Sequence, residues 1–173
     1  EKTEAFFNEL SVGLAYRPVA YDRFNALARY TMLSEQGPLE VDETESSESK
    51  TDVASIEWSF DINRYIEWVE KGALRIKTEE SGSEPSQTTH TYLSINRLNF
   101  NIWSEIDLGM EYRILLEKET DDSRKGWLTE LMWEPKEHFR IGAGYNFTDF
   151  SDNEFSDNDY SVQGWFTRIQ VKY

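Results

Sequence analysis

Apolar and polar residues alternate along most of this chain with a period of two, which is the pattern of β-strands with two different faces. The stretch VASIEWSFDI shows it most clearly, because every second residue from Ala54 to Ile62 is apolar and the residues between are polar. The pattern predicts an all-β protein with nine strands, in ELSVGLAYRP, FNALARYTML, VASIEWSFDI, GALRIKTEE, TYLSINRLNFNIW, DLGMEYRILLEKE, GWLTELMW, FRIGAGYNFT and YSVQGWFTRIQVKY.

One predicted strand, TYLSINRLNFNIW, changes phase along its length. Leu93 and Ile95 are out of step with the apolar residues that follow from Leu98. A β-bulge adds one residue to a strand and so shifts the side chains beyond it to the other face. We therefore expect a bulge near Asn96, which would bring both apolar sets onto one face.

The connections between the predicted strands alternate between two classes. RPVAYDR, INRYIE, WSEID and EPKEH are short, whereas the acidic stretch from Ser34 to Asp52, SGSEPSQTTH, KETDDSRKG and DFSDNEFSDND are longer and polar. Short periplasmic turns and long extracellular loops are typical of antiparallel up-and-down β-barrels of outer membranes. This arrangement predicts such a transmembrane barrel, with eight to ten strands visible and the C-terminus on the periplasmic side.

Composition agrees with a barrel and limits the alternatives. The 173 residues suit a single domain over positions 1–173, and aromatic residues make up 14% of a chain that is only 38% hydrophobic. A barrel that alternates lipid-facing and lumen-facing residues has this composition. The absence of cysteine excludes disulfides and thiolate chemistry, and the net charge of -15 argues against a nucleic-acid partner.

In a transmembrane barrel the apolar rows face lipid and the charged rows face the lumen. The charged residues predicted to line the lumen are Glu57, Asp61, Arg75, Lys77, Glu111, Arg113, Glu130, Arg140, Arg168 and Lys172. Aromatic residues beside the short turns predict a periplasmic girdle of Tyr16, Phe24, Trp68, Trp103, Trp133, Phe139 and Tyr173. The alternative is a soluble, lipocalin-like ligand binder, in which the apolar rows point inward.

Both ends of the chain resemble a known group of proteins. The terminal strand, with Tyr173, Val171 and Ile169 at alternate positions, resembles the signal by which the barrel assembly machinery recognises outer-membrane proteins. GLAYRPVAYDRFNALARYTML, KETDDSRKG and FRIGAGYNFTDFSDNEFSDNDYSVQGWFTRIQVKY resemble the C-terminal barrel region of large Gram-negative outer-membrane and surface proteins. The resemblance implies a location in the cell outer membrane, contact with lipid and lipopolysaccharide, and a role as a passive pore or as an anchor for surface-exposed segments.

The odd strand number raises a question of closure. Bacterial single-chain barrels have an even number of strands. Either the segment EKTEAFFNE belongs to a larger barrel completed by upstream strands or other chains, or the first segment does not span the membrane and eight strands close the barrel. We favour the larger barrel.

Candidate chemistry is sparse. His90 is expected in an outer loop and His138 in a short turn, at opposite ends of the barrel, so no catalytic cluster is predicted and an outer-membrane hydrolase or protease is only the alternative function. No cofactor is expected. A weak calcium candidate is the acidic run Asp152, Glu154, Asp157 and Asp159, for which a solvated loop is the simpler interpretation. Gly142 and Gly144 alternate within one strand and are expected to face the lumen.

Overall fold

The computed structural model describes residues 6–38, 46–81, 85–136, 138–148 and 163–171. All regular structure in these ranges is β-sheet, as predicted, and no helix occurs in them. The strands are β1 (Phe6–Tyr16), β2 (Phe24–Pro38), β3 (Ser46–Asn63), β4 (Ile66–Ser81), β5 (Gln87–Trp103), β6 (Ile106–Glu117), β7 (Asp122–Lys136), β8 (Phe139–Asn146) and β9 (Gly164–Val171).

The nine strands form one antiparallel sheet in which each strand pairs with its neighbours in sequence. The sheet is open: within the described residues β1 pairs only with β2, and β9 pairs only with β8. The expected closed barrel, with the last strand paired to the first, is therefore not formed by these strands alone. β1 and β9 are both odd-numbered strands of a meander and run in the same direction, so their direct pairing would be parallel rather than antiparallel.

Several strands are longer than predicted, and the loops between them are correspondingly shorter. The acidic stretch from Ser34 to Asp52 is predicted as a loop, but its two ends extend β2 and β3, with Glu35 opposite Ser49. Residues 39–45, between these ends, lie outside the described residues. His90 lies in β5 opposite Ile76, not in a loop. Pairing of strands continues into these polar segments because their charged side chains stay at least partly exposed to solvent on either face.

The β-bulges lie beside the short turns rather than near Asn96. The register shifts between Asp61 and Asn63, between Asn101 and Trp103, and between Trp133 and Lys136. The prediction of a bulge near Asn96 is wrong, because pairing of β5 is continuous from Thr91 to Asn101. Instead, the out-of-phase residues Leu93 and Ile95 pack with Ala73 and Leu115 in a small apolar cluster on the opposite face from Leu98.

The register separates two faces of different chemistry. One face carries the odd-numbered residues of β1–β6 and the even-numbered residues of β7–β9, and we call it the charged face. The other is the apolar face. This numbering holds in each strand as far as its bulge beside the short turn. All the buried non-glycine residues in the described part of the chain lie on the charged face: Ala73, Thr91, Leu93, Glu111, Leu115, Leu128, Glu130, Met132 and Asn146.

Most aromatic residues of the described strands lie on the apolar face. All six tryptophans lie there, including Trp103, which pairs with Ile106 beyond the bulge of β5. Ring contacts connect neighbouring strands, with 4.6 Å between the ring centroids of Trp58 and Trp68 and 4.4 Å between those of Tyr112 and Trp127. The predicted girdle residues stand beside the short turns on this face, apart from Tyr173, which lies outside the described residues.

Candidate functional site

The charged face collects the charged residues that the sequence predicts to line a lumen. By register, Glu57, Asp61, Arg75, Lys77, Glu111, Arg113, Glu130, Arg140 and Arg168 all lie on it. Lys172, the tenth, lies outside the described residues. The face divides into two parts, which we call the open half (β1–β4) and the packed half (β5–β9).

Arg97 is the centre of the ion-pair network in the packed half. Its Nη2 donates to Glu130 at 3.0 Å, its Nη1 donates to Glu111 at 3.3 Å, and its Nε donates to Asn99 at 2.7 Å. Arg113 donates to the other oxygen of Glu111. One guanidinium group thus joins two carboxylates on different strands.

Glu130 is the most buried charge of this network, with its side chain 0% exposed. Its Oε2 accepts from Arg97 on β5, while its Oε1 lies 3.1 Å from Nε of Arg168 on β9. A buried carboxylate without a cation would carry a large desolvation cost. Arginines from both sides therefore neutralise Glu130, and they tie β5, β7 and β9 together across the strands between them.

Glycines make room for these contacts across a strand. Gly109 of β6 lies directly between Asn99 of β5 and Glu130 of β7, and a Cβ there would overlap the Arg97 guanidinium. A Cβ on Gly144 of β8 would overlap the ring of Phe166. The two glycines predicted to face the lumen, Gly142 and Gly144, do lie on the charged face, where side chains of neighbouring strands cover them.

A second ion-pair cluster lies at the short-turn end of the packed half. Arg140 Nε donates to Glu134, and Arg140 Nη2 lies 3.3 Å from Asp107 Oδ2. Together these residues connect β6, β7 and β8. The two clusters thus cross-link the packed half from its short-turn end as far as Arg113 of β6, beyond which Leu93 and Leu115 form the apolar cluster.

The open half carries a polar groove instead of a packed network. Its volume is about 710 Å³, and its lining comes from the charged face of β1–β4. Most of the lining residues are cations, carboxylates or hydroxyls: Glu9, Arg29, Thr31, Glu35, Ser49, Thr51, Ser55, Glu57, Lys71, Arg75 and Lys77. The apolar side chains of Phe7, Leu27, Leu33, Val53 and Ala73 complete it. The short side chains of Ser49, Thr51 and Ser55 leave space above β3, so this half can hold water or a polar solute.

A carboxylate clamp fixes the loop end of β5 to the turn between β6 and β7. The backbone N–H of His90 donates to Glu119 Oε2 at 2.7 Å, and His90 Nδ1 lies 2.6 Å from Glu119 Oε1. Hydrogen bonds from the His90 backbone and ring lower the pKa of the Glu119 carboxyl below its ordinary value of 4.5. His138 lies in the turn before β8, at the opposite end of the sheet.

Sequence reasoning missed the most connected residue of the network, Arg97. Its predicted strand changes phase, and the alternation of Arg97, Asn99 and Asn101 with Leu98, Phe100 and Ile102 was the available signal. That alternation places Arg97 on the same face as Glu111, its direct partner in the register.

The predicted assembly signal lies only partly within the described residues, and the candidate calcium site lies wholly outside them. Ile169 and Val171 of the predicted assembly signal lie on the apolar face of β9, and Tyr173 lies outside the described residues. The calcium candidates Asp152, Glu154, Asp157 and Asp159 all lie outside them as well. Within the described ranges, no group of three or more His, Asp or Glu residues is arranged to hold a metal ion.

No protein-family model, curated protein or solved structure matches the chain. In the described part of the chain no helix is both long and apolar enough to cross a membrane. The class that the fold defines is an open, antiparallel, all-β sheet with one charged and one apolar face.

Proposed function

We propose that the chain forms the wall of an outer-membrane β-barrel, whose charged face lines an aqueous lumen and whose apolar face meets lipid. The barrel would act as a passive pore. The observation that carries this proposal is the inverted distribution of side chains: the buried residues belong to the charged face, while large apolar side chains of the other face are exposed.

The exposed apolar side chains would be costly in water. Trp165 is 82% exposed, Ile169 is 65% exposed and Leu14 is 71% exposed, all on the apolar face. Burying a large apolar side chain contributes about 1.5 to 3 kcal/mol, so many such residues favour an apolar surrounding. Lipid supplies that surrounding, whereas a soluble lipocalin-like binder would turn these residues inward.

The groove of the open half supports a pore rather than an anchor. Its lining mixes both signs of charge with hydroxyl groups, and a water-filled lumen solvates such a surface. A membrane anchor for surface-exposed segments is the second candidate, and the packed half favours it, because side chains there fill the charged face. Single-channel recording in planar bilayers separates the two functions, since only a pore conducts ions.

The open edges of the sheet bear on how the proposed barrel closes. Unpaired backbone N–H and C=O groups are very costly in hydrocarbon, so β1 and β9 each need a partner on their free edge. Because both strands run in the same direction, an odd number of further antiparallel strands would join them and give an even total. Upstream strands or other chains would supply these.

The six tryptophans provide a direct test in the unmodified protein, since all lie on the apolar face. The barrel, complete with the strands that pair the free edges of β1 and β9, is folded into vesicles of ordinary or brominated phospholipid, and its intrinsic fluorescence is compared. Brominated chains quench only fluorophores that contact the hydrocarbon. We expect strong quenching by brominated lipid and weak quenching by a water-soluble quencher such as iodide.

The opposite pattern would contradict the proposal. Strong quenching by iodide, together with a monodisperse monomer that stays folded without detergent or lipid, would show that the apolar face does not meet a membrane. A matched pair of variants adds a second measurement. Ile114→Arg places a charge on the apolar face, and if this position lies near the bilayer midplane it should reduce the free energy of folding into lipid by roughly 2 to 4 kcal/mol. Arg124→Ile, on the charged face of the next strand, should not.

A further inference from the structure

One acidic residue interrupts the apolar face. Glu70 lies on β4 between Trp68 and Gly72, and its register partners are Trp58 and Asn96. Among the described residues no side chain forms a hydrogen bond or an ion pair with its carboxyl group. The other acidic, basic and histidine residues of this face lie in the loop-side part of a strand or beside a turn: Glu48, Lys50, Asp52, Glu80, His90, Lys125 and Lys136.

Glu70 belongs to a small polar patch that spans two neighbouring strands. Asn96 stands opposite Glu70, and Ser94 stands opposite Gly72. Asn96 Nδ2 donates to Ser94 Oγ at 3.3 Å, which leaves its carbonyl oxygen and a second N–H available. We call these four residues the polar notch. Large side chains border it on the same face, including Trp58, Ile56, Tyr112 and Ile114.

A polar notch facing lipid is energetically unfavourable on its own. This argument rests on the proposed function, in which the apolar face meets hydrocarbon. An acidic group there is costly unless another group pairs with it, and such residues mark functional contacts in membrane proteins. Hydrocarbon chains cannot hydrogen-bond, so the partner of Glu70 must itself bring polar atoms into the membrane.

We propose that the polar notch is the contact between two copies of this chain, related by a two-fold axis along the membrane normal that passes between β4 and β5. Such an axis keeps the loops of both copies on the same side. It also exchanges the two strands, so that β4 of one copy faces β5 of the other. Glu70 of each copy then meets Asn96 of its partner copy.

The chemistry of the notch is self-complementary under this symmetry. Glu70 supplies carboxyl oxygens and Asn96 supplies an amide N–H and a carbonyl, so each copy offers the groups that the other needs. Next to this pair, Gly72 meets Ser94, and small residues allow two membrane-embedded surfaces to approach closely. A Cβ on Gly72 would have its nearest neighbour, Ile56 Cγ2, at 3.8 Å, so this space is not used within the chain.

Cysteine cross-linking tests the contact without background, because the chain contains no cysteine. Gly72→Cys and Ser94→Cys are made in two separately tagged copies, mixed during refolding into vesicles, and oxidised. We expect a disulfide-linked heterodimer carrying both tags. The matched control pairs Leu131→Cys with Ala143→Cys, which are also register partners on the apolar face, and should give no cross-link above background.

Substitution tests the hydrogen bonds themselves. Glu70→Leu should weaken association in vesicles about tenfold, since individual hydrogen bonds in lipid are modest and two of them are lost. Glu70→Gln keeps hydrogen-bonding atoms and should retain the dimer. Thr129→Leu, which also replaces a polar residue on the apolar face, should leave association unchanged.

Two results would overturn the dimer. One is a monomer in vesicles at every protein density. The other is a Gly72→Cys and Ser94→Cys cross-link no stronger than the control, which would assign the notch to a lipid or another protein. Brominated-lipid quenching in the same vesicles separates the two proposals. If brominated lipid still quenches the tryptophans but no cross-link forms, the dimer is contradicted and the proposed contact of the apolar face with lipid is not.

Discussion

The two halves of the charged face show how one sheet can accommodate charge on one of its faces in two ways. In the packed half, the buried carboxylates Glu111 and Glu130 are paired with arginines that reach over Gly109 and β8. In the open half, charged side chains of both signs share the face with serine and threonine, and a groove of about 710 Å³ remains. Paired charges tie strands together, whereas the short side chains along the groove leave room for water and solute.

In the packed half, the ion pair between Arg97 and Glu130 depends on a glycine in the strand between them. A strand that lacks a side chain at one position lets a long arginine lie flat across it and reach the second strand beyond. Gly109 does this for Arg97, whereas the glycines of β8 make room for the uncharged side chains of Phe166 and Met132 on the adjacent strands. In the open half, Gly13 and Gly37 lie on the charged face, but no charged side chain of the described residues lies over either of them.

The largest expected effect comes from removing the central cation of the packed half. Arg97→Leu leaves the fully buried Glu130 with Arg168 alone and deprives Glu111 of one of its two arginines. Breaking buried ion pairs typically costs roughly 3 to 5 kcal/mol. Unfolding by urea from lipid vesicles should show a loss of about 3 kcal/mol, near the lower limit, because each carboxylate keeps one partner.

The matched change in the open half is Arg29→Leu. Arg29 is exposed and donates to Ser11 at 3.0 Å. Exposed charged contacts contribute little, so the loss should be below about 1 kcal/mol. Equal losses for Arg97→Leu and Arg29→Leu would remove the distinction between the halves.

A smaller effect is expected from filling glycine positions. Gly144→Ala should cost about 1 to 3 kcal/mol, because its Cβ would lie 2.6 Å from the Thr129 carbonyl oxygen, which is backbone and cannot move away cheaply. Gly13→Ala in the open half meets only the Ala28 carbonyl oxygen, at 3.7 Å. It should change stability by less than about 0.5 kcal/mol. The same urea titration measures both variants, and a larger loss for Gly13→Ala would contradict the account.

The smallest effect is local and depends on pH. The folded-state pKa of Glu119 is lowered, so the clamp on His90 is fully present above pH 4.5 and is lost as pH falls through the folded-state pKa. Hydrogen exchange of the His90 amide, corrected for its intrinsic rate, should lose protection in that acidic range, while the Arg97 amide keeps its protection. Glu119→Gln should remove the pH dependence. Protection that persists unchanged in this variant and at low pH would disprove the clamp.

Periodicity predicted the nine strands and the faces of most charged residues. Successive side chains of a strand point to opposite faces of the sheet, whichever strands pair with it. The position of Arg97 relative to Glu130 was not predictable, since it depends on a register across β6 and on the absence of a side chain at Gly109. The predicted bulge at the phase change is wrong because Leu93 packs against Ala73 and Leu115 on the charged face. A single sequence does not reveal these contacts between strands. Loop lengths were overestimated where polar strands extend beyond the apolar rows.

In the proposed barrel the charged face meets water and the apolar face meets lipid. Ser55 and Ile56 are neighbours on β3 with opposite faces: Ser55 lines the groove, and Ile56 is 53% exposed on the apolar face. Nitroxide spin labels on the variants Ser55→Cys and Ile56→Cys, in vesicles, report contact with oxygen, which concentrates in lipid, or with a water-soluble nickel complex. We expect high oxygen contact at position 56 and high nickel contact at position 55. The reverse result would contradict it.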